Sequence, residues 1–594
     1  MNAESTRERR RSLLDRIEWL GNQLPEPAIL FALLALVVVL VSALGSALDW
    51  QVQPVRPVVA TTEMVAADGS VQQVPRTDAE GRPQLDLVAS GAPIEPRSLL
   101  STDGIYWMMS SALRNFTTQP ALGLIFVAVL GIGIAEKFGF FAALMRFLAF
   151  LTPRRWMTPM VVFIGANSAV ASDAGYIILP PLAAALYLAM GRHPVAGLAA
   201  AFCGVAGGFG GGLFPAGSDG ALAGFAQDAA RVVEPHYTVN ILHNWYFKIA
   251  SALLVTAVGW YVTDRIVEPR LQRTAPPDGT GEAQTDMRLA PRERRALTGA
   301  LAAMGAVGAL IVAMIVLPSM PLHGPGQPRL PNDRVLAHIP VQVAPEGSPI
   351  AAPAHDVLAR EPLVVTEAAQ AGRLVENPGP RWSHVIVPLI FLLFAVPGVV
   401  YGAMTGVLRG QGDLNEALNH GIRTLAPVLV MLFFLAQFTS YFSYSHLDRM
   451  MAYAGGSLLV AADLPVAVLL VAFVAVVIGG DFAMSGLISK FGVLAPIFVP
   501  MFMLVGISPE LTTAAYRIGD SVVNIVTPLN NYVPIIVAVL MKYRKDAGIG
   551  TLIALMVPYS LALGAAWTAF LLLWVAVGIP LGPEGPLWFV PSSE

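Results

Sequence analysis

Arg517, Asp520 and Asn524 share one short segment, Arg517-Ile-Gly-Asp520-Ser-Val-Val-Asn524. Asp520 and Asn524 are four apart and fall on one helix face, with Arg517 on a nearby one. Carboxylate, amide and hydroxyl oxygens together suit a hard cation such as sodium. A carboxylate alone can carry a proton instead. The guanidinium offers a fixed planar fork to a carboxylate. The plainer alternative is a buried Arg517–Asp520 ion pair that holds the helix in place. Upstream, Gly479-Gly-Asp481-Phe-Ala-Met-Ser485-Gly-Leu-Ile488-Ser-Lys490-Phe491 brings two further charges, two hydroxyls and two aromatic rings. Asn167-Ser-Ala-Val-Ala-Ser-Asp173-Ala-Gly-Tyr176 makes a third polar cluster. Its small residues let the chain turn tightly, and Asp173 sits where an acid caps a following helix. Such a cap can also face a cavity.

These polar clusters lie in an apolar chain. It has 594 residues, 55% apolar and 13% charged, where a soluble protein needs about 25% charged residues to cover its surface. Most of the surface must therefore face lipid. Charges at membrane depth cost at least about 2.5–3.5 kcal/mol each, so they pair, line water or serve transport. The net charge of −3 implies no nucleic-acid partner. A single cysteine, Cys203, excludes an internal disulfide and multi-cysteine metal sites. His193, His236, His243, His420 and His446 lack metal-ligand spacing. The run Gly204–Gly212 follows no strand, so it is no dinucleotide loop; six glycines in nine positions unwind a helix instead.

A span needs roughly 20 apolar residues. Nine candidates are 28–47, 121–150 (with a break near Glu136–Lys137), 195–225, 245–262, 297–317, 385–401, 425–441, 511–541 and 553–577. Two broken apolar stretches, 159–190 and 464–505, read as re-entrant hairpins. Unwound backbone survives at that depth only where protein or a water-filled cavity satisfies it. Arg7–Arg11, Arg154–Arg155, Arg192, Arg265–Arg295, Arg423 and Lys542–Lys545 then share one side, the cytoplasm by the positive-inside rule.

An offset of 315 places Pro181 on Pro496, Gly191 on Gly506, Pro194 on Pro509 and Gly204 on Gly519. The hairpins enter from opposite sides, so the two copies are inverted. Paired, interrupted, polar-bearing segments mark the binding site of a secondary transporter. The expected fold is an all-α polytopic membrane protein, nine transmembrane helices plus two re-entrant helical hairpins in an inverted repeat, with two external loop insertions. The expected units are a cytoplasmic segment 1–27; two spans, 28–150, with external loop 49–103; a first repeat, 156–264; a cytoplasmic linker, 265–296; peripheral spans 297–445 with external loop 318–382; a second repeat, 464–578; and an external tail, 579–594. The external loops, rich in Pro, Val, Ala and Gly, are expected to be partly extended.

Several motifs resemble the p-aminobenzoyl-glutamate transporter (AbgT) family. They include Leu14-Asp-Arg-Ile-Glu-Trp-Leu-Gly-Asn-Gln-Leu-Pro, Gly131-Ile-Gly-Ile-Ala-Glu-Lys137, Ala171-Ser-Asp-Ala-Gly-Tyr176 and Tyr516-Arg-Ile-Gly-Asp-Ser-Val-Val-Asn524. The resemblance implies a homodimer in the bacterial inner membrane. It also implies ion-driven movement of p-aminobenzoyl-glutamate or related compounds, with export of sulfonamide antimetabolites in some members. Family substrate positions carry over onto Asp173, Pro509, Arg517, Asp520 and Pro528. The sodium site of similar proteins falls on Asp481, Ser485, Asp520 and Asn524. Departures concentrate nearby: Phe491 stands for a usual Trp, Ile488 for a Ser and Asp481 for an Asn. Gly210-Gly-Gly212 stands for Ser-Ala-Asn, and Asn530–Asn531 for Met-Pro.

On this reading Arg517 and Lys490 bind a substrate carboxylate while Phe491 stacks on an aromatic or apolar part. Sodium or a proton is the coupling ion, and no other cofactor is expected. The partners are a small anionic or aromatic substrate and the bilayer. The chain is expected not to be an enzyme: the intramembrane aspartyl protease motif Gly-x-Gly-Asp fails at Ile478 and Arg517. A channel is disfavoured by the paired hairpins. A dicarboxylate or short-chain acid transporter of related architecture is the alternative.

Overall fold

The structure, a computed structural model, describes residues 27–65, 71–76, 84–171, 174–235, 237–274, 289–324, 381–481, 486–530 and 532–591. Asp173, His236, Ser485 and Asn531 fall outside them, as do most of the 1–27 segment and of the 318–382 loop. Helices dominate. Among the described residues, five are long and apolar enough to cross a membrane: 28–47, 245–273, 291–316, 386–405 and 549–577. A pair over 411–423 and 428–444, bent by 42°, makes a sixth if it is one span.

The loop after α1 (Pro27–Ala47) corrects an all-helical expectation while meeting the extended one. Here β1 (Val55–Val59) pairs antiparallel with β4 (Leu85–Ala89), Val55 opposite Ala89. β2 (Thr61–Val65) pairs antiparallel with β3 (Val71–Pro75). Their β-branched residues favour the pleat. α2 (Thr102–Thr117), too polar to read as a span, follows with Ser101 capping its start. The break expected near Glu136–Lys137 separates α3 (Pro120–Lys137) from α4 (Phe140–Leu151) at Gly139, whose φ is +85°.

The first hairpin is α5 (Met157–Asn167), a 3-10 turn Ser168–Ala171 and α6 (Ala174–Ala189). The expected span 195–225 is unwound at its glycine run, as those glycines imply, into α7 (Pro194–Phe202), a wide π turn Cys203–Gly207, irregular backbone and α8 (Gly217–Ala230). The glycine run is the physical cause, as it removes the side chains that pack a helix and frees the backbone. α9 (Trp245–Val262) continues through a π turn, Thr263–Val267, into α10 (Glu268–Thr274), so the expected linker begins as helix. Peripheral α11 (Pro291–Val316) packs on α12 (Ile386–Thr405), and α13 (Gln411–Tyr444) on α1 and α3. α14 (Leu447–Ala462) leads to the second hairpin, α15 (Val466–Asp481) and α16 (Leu487–Met503). The expected span 511–541 is likewise broken, into α17 (Pro509–Asn524) and α18 (Val533–Met541), before α19 (Ile549–Val577). Pro528, which cannot donate within a helix, lies in that break.

Local geometry recurs at the 315-residue offset. Gly191 and Gly506 end their hairpins in left-handed conformation, with φ of +73° and +82°. His193 and Ser508 then cap α7 and α17, and Pro194 and Pro509 open them; this is the usual order of glycine stop, cap and proline start. A Cβ on Gly204 would lie 2.5 Å from the Val162 carbonyl oxygen, and one on Gly519 2.7 Å from Val477 Cβ. Each glycine thus lets its helix press on the first arm of its own hairpin. The contacts between copies are reciprocal: α6 packs on α18, and α16 on α8. Tyr176 and Tyr532 stack at 4.1 Å across the first of these.

Beyond α19 the expected tail is a strap. Leu581 O accepts from Phe247 N at 3.0 Å, Leu587 O from Ser508 N at 3.3 Å, and Phe589 N donates to Gly506 O at 2.9 Å. It ties the start of α9 to the turn between α16 and α17.

Candidate functional site

Helix α17 is enclosed on every side, with residues Pro509 through Val523 all buried. A helix carrying Arg517 and Asp520 in such a place must find their partners inside the protein. It finds them in two separate clusters.

The first joins the two copies. Arg517 Nη2 donates to Asp219 Oδ1 at 2.7 Å, and Arg517 Nε to Asn244 Oδ1 at 3.2 Å. Asp219 lies in the first turn of α8, where an acid is favoured, and its Oδ2 accepts from Ala216 N at 2.7 Å. The same Oδ2 accepts from Lys248 Nζ of α9 at 2.6 Å. Arg517, Asp219 and Lys248 are 1%, 2% and 4% exposed, so water screens little of this charge. Two cations against one carboxylate leave a net charge of +1.

The second cluster belongs to the second copy. Lys490 Nζ donates to Asp481 Oδ1 and lies 2.9 Å from Asp520 Oδ1. Two carboxylates against one ammonium leave a net charge of −1. Among the described residues, Asp481 Oδ2 and Asp520 Oδ2 are buried with no hydrogen-bond donor. Orphaned carboxylate oxygens of this kind fit a hard monovalent cation or a proton. The ammonium of Lys490 already bridges the two acids, so any such ion adds to it. Thr527 Oγ1 donates to Asp481 O at 3.4 Å, holding the break after α17 against the end of α15.

The alternative Arg517–Asp520 pair does not form, because Asp520 turns to Lys490 and Arg517 to Asp219. Phe491 is fully buried, its ring 4.6 Å from that of Tyr516. Tyr516 in turn donates to Leu487 O at 2.5 Å, pinning the start of α16. Pro509 opens α17, and half-buried Asn524 accepts from Asn530 Nδ2 at its carbonyl, 2.9 Å. The glycine run lies against α17 beside the first cluster. Gly210 N donates to Ser521 Oγ at 2.8 Å and Gly212 N to Lys248 O at 3.1 Å. A Cβ on Gly210 would stand 2.6 Å from Ser521 Oγ and 2.9 Å from Arg517 O. Leu213 N reaches Asn167 Oδ1 at 2.8 Å, linking the run to the first hairpin.

Asp219, Asn244 and Lys248 were not singled out in the sequence. A signal existed for two of them. Asp219 and Lys248 are charges inside expected spans, subject to the same cost that drew attention to Asp520.

The family model described as the AbgT putative transporter family matches residues 12–337 and 367–589. A p-aminobenzoyl-glutamate transport protein of Escherichia coli (strain K12) is 32% identical over 570 residues, which is 96% of this chain and 95% of that protein. The solved structure of MtrF from Neisseria gonorrhoeae, described among antimetabolite efflux pumps, is 36% identical with a TM-score of 0.76. The match covers 96% of this chain and all of that one. The YdaH transporter of Alcanivorax borkumensis is 31% identical with a TM-score of 0.73, over 94% of this chain and 100% of its own.

Proposed function

The chain belongs to the AbgT family of transporters, and we propose that it is an ion-coupled secondary active transporter of p-aminobenzoyl-glutamate-like aromatic carboxylates. Sulfonamide antimetabolites are a second cargo for export, by analogy with the efflux pump of similar fold. In this reading the chain is a homodimer in the bacterial inner membrane, with nine spans and two inverted hairpins per subunit. The recurring glycine and proline geometry and the reciprocal packing of α6 on α18 and α16 on α8 support the repeat.

One observation carries the functional reading. A cluster of net charge +1 and another of net charge −1 lie three residues apart on one enclosed helix. Buried clusters of unbalanced charge are costly by themselves, and a ligand of opposite sign would balance each. An anionic cargo suits the Arg517 side, and a cation suits the side of Asp481 and Asp520. Asp481 and Asp520, together with Asn524 and with Ser485 from outside the described residues, would hold sodium, which would supply one neutralising charge. The residues Asp173, Pro509, Pro528 and Lys490 complete the proposed site.

Flux into proteoliposomes carrying separate sodium and proton gradients tests the coupling. Uptake of p-aminobenzoyl-glutamate should follow one of the two gradients; flux indifferent to both removes coupling. A second reading, a carrier of plain dicarboxylates or short-chain acids, draws on Phe491, whose ring is covered by Tyr516. Competition by succinate equal to that by p-aminobenzoyl-glutamate would favour it.

A further inference from the structure

Arg517 is the group that the transport reading assigns to the cargo carboxylate, yet its guanidinium already holds a carboxylate of the chain itself. That contact is not the strongest one available. Asp219 takes only Nη2, while Nε goes to the neutral amide of Asn244. A carboxylate that met two N–H groups of the fork would bind more strongly than this single contact. Asp219 is also not committed to Arg517. Its other oxygen is held by Lys248 Nζ at 2.6 Å and by Ala216 N at 2.7 Å. Losing the guanidinium would still leave Asp219 paired, so the exchange avoids stranding a buried charge. Lys248 is fixed for this duty, since its carbonyl accepts from Gly212 in the unwound run.

We propose that Asp219 is an internal competitor for Arg517 and that Lys248 is the second seat that takes Asp219 when a cargo carboxylate arrives. The pair would set the affinity for anionic cargo and help return the site to its closed arrangement after release. Asp219 and Lys248 are therefore positioning residues for Arg517. The idea rests on the transport reading but predicts a pattern of its own.

The test is carboxylate flux in proteoliposomes, with KM and maximal rate measured for p-aminobenzoyl-glutamate and succinate. K248Q, which leaves Arg517 as the one charged partner of Asp219 among the contacts above, should raise KM about tenfold, the least effect expected from losing a charged hydrogen-bond partner. D219N removes the competitor and should lower KM while slowing the maximal rate. The D219N/K248Q double variant should keep the low KM of D219N, because without the competitor the second seat has no work. A double variant whose KM is the product of the two single changes overturns the proposal, as does D219N raising KM like K248Q. Should D219N fail to assemble, K248R against K248Q carries the test: the arginine keeps a charge near Asp219 and should hold KM near wild type, and equal loss in both overturns the proposal. Wild-type protein that moves no carboxylate overturns the transport reading and the exchange together. Wild-type transport with unchanged KM in both single variants overturns the exchange alone.

Discussion

Arg517 meets Asp219 at 2.7 Å across the boundary between the two copies, and not Asp520 three residues along its own helix. The consequence is a division of charge. Asp520 is freed to share Lys490 with Asp481, and two oppositely unbalanced clusters arise where one neutral pair would otherwise have stood.

Replacing Arg517 should separate binding from folding. Arg517→Ala leaves Asp219 its Lys248 partner, so the protein should still elute as the wild-type oligomer while anion flux is lost. Arg517→Lys keeps the charge but not the planar fork, and flux should fall by about tenfold or more. Flux unchanged in the alanine variant would remove Arg517 from the site.

Lys490→Met should do the opposite and damage the fold. It leaves Asp481 and Asp520 buried without their shared ammonium, a cost of about 3–5 kcal/mol. Thermal unfolding in detergent reads this directly. Adding Asp481→Asn to Lys490→Met removes one of the two stranded charges and should recover part of the loss. A Lys490→Met protein as stable as wild type would mean that the cluster is not what holds these acids.

Close helix approach predicts a graded glycine series. Valine at Gly204 or Gly519 meets the hairpin arm within 2.5–2.7 Å, and such overpacking costs about 1–3 kcal/mol or more. Gly191→Ala has open space but φ of +73°, so its cost should be backbone strain alone, about 1 kcal/mol. Gly479→Ala, inside α15 with nothing within 4 Å, should unfold at or above the wild-type temperature, since alanine favours a helix by up to about 1 kcal/mol. Unfolding temperatures in that order check the series.

Arg192 anchors the end of the first hairpin. It lies 2.6 Å from Asp264, donates through Nε to both oxygens of Glu268 at 3.1 Å and through Nη1 to Thr158 at 2.8 Å, and sits 4.3 Å over the Tyr187 ring. Arg192→Ala should cost about 1–3 kcal/mol and raise hydrogen exchange first around residues 187–195. Protection unchanged there would show that α6 and α7 are held by packing alone.

Much of this was already present in the order of residues. An apolar chain with few charges has to face lipid, and a doubled pattern of glycine, proline and polar groups has to interrupt helices in pairs. The left-handed turns at Gly191 and Gly506 and the broken helix after Gly204 follow from what those residues permit locally, without reference to any distant partner. Which charges meet is a different matter. Asp219 and Arg517 are 298 positions apart, and no local spacing relates them. Their pairing depends on how α8, α9 and α17 pack, and it prevails because a buried charge takes whatever opposite charge the packing brings nearest. Spacing along one helix suggested Asp520 as the partner of Arg517; the folded chain put Lys490 and Asp219 closer.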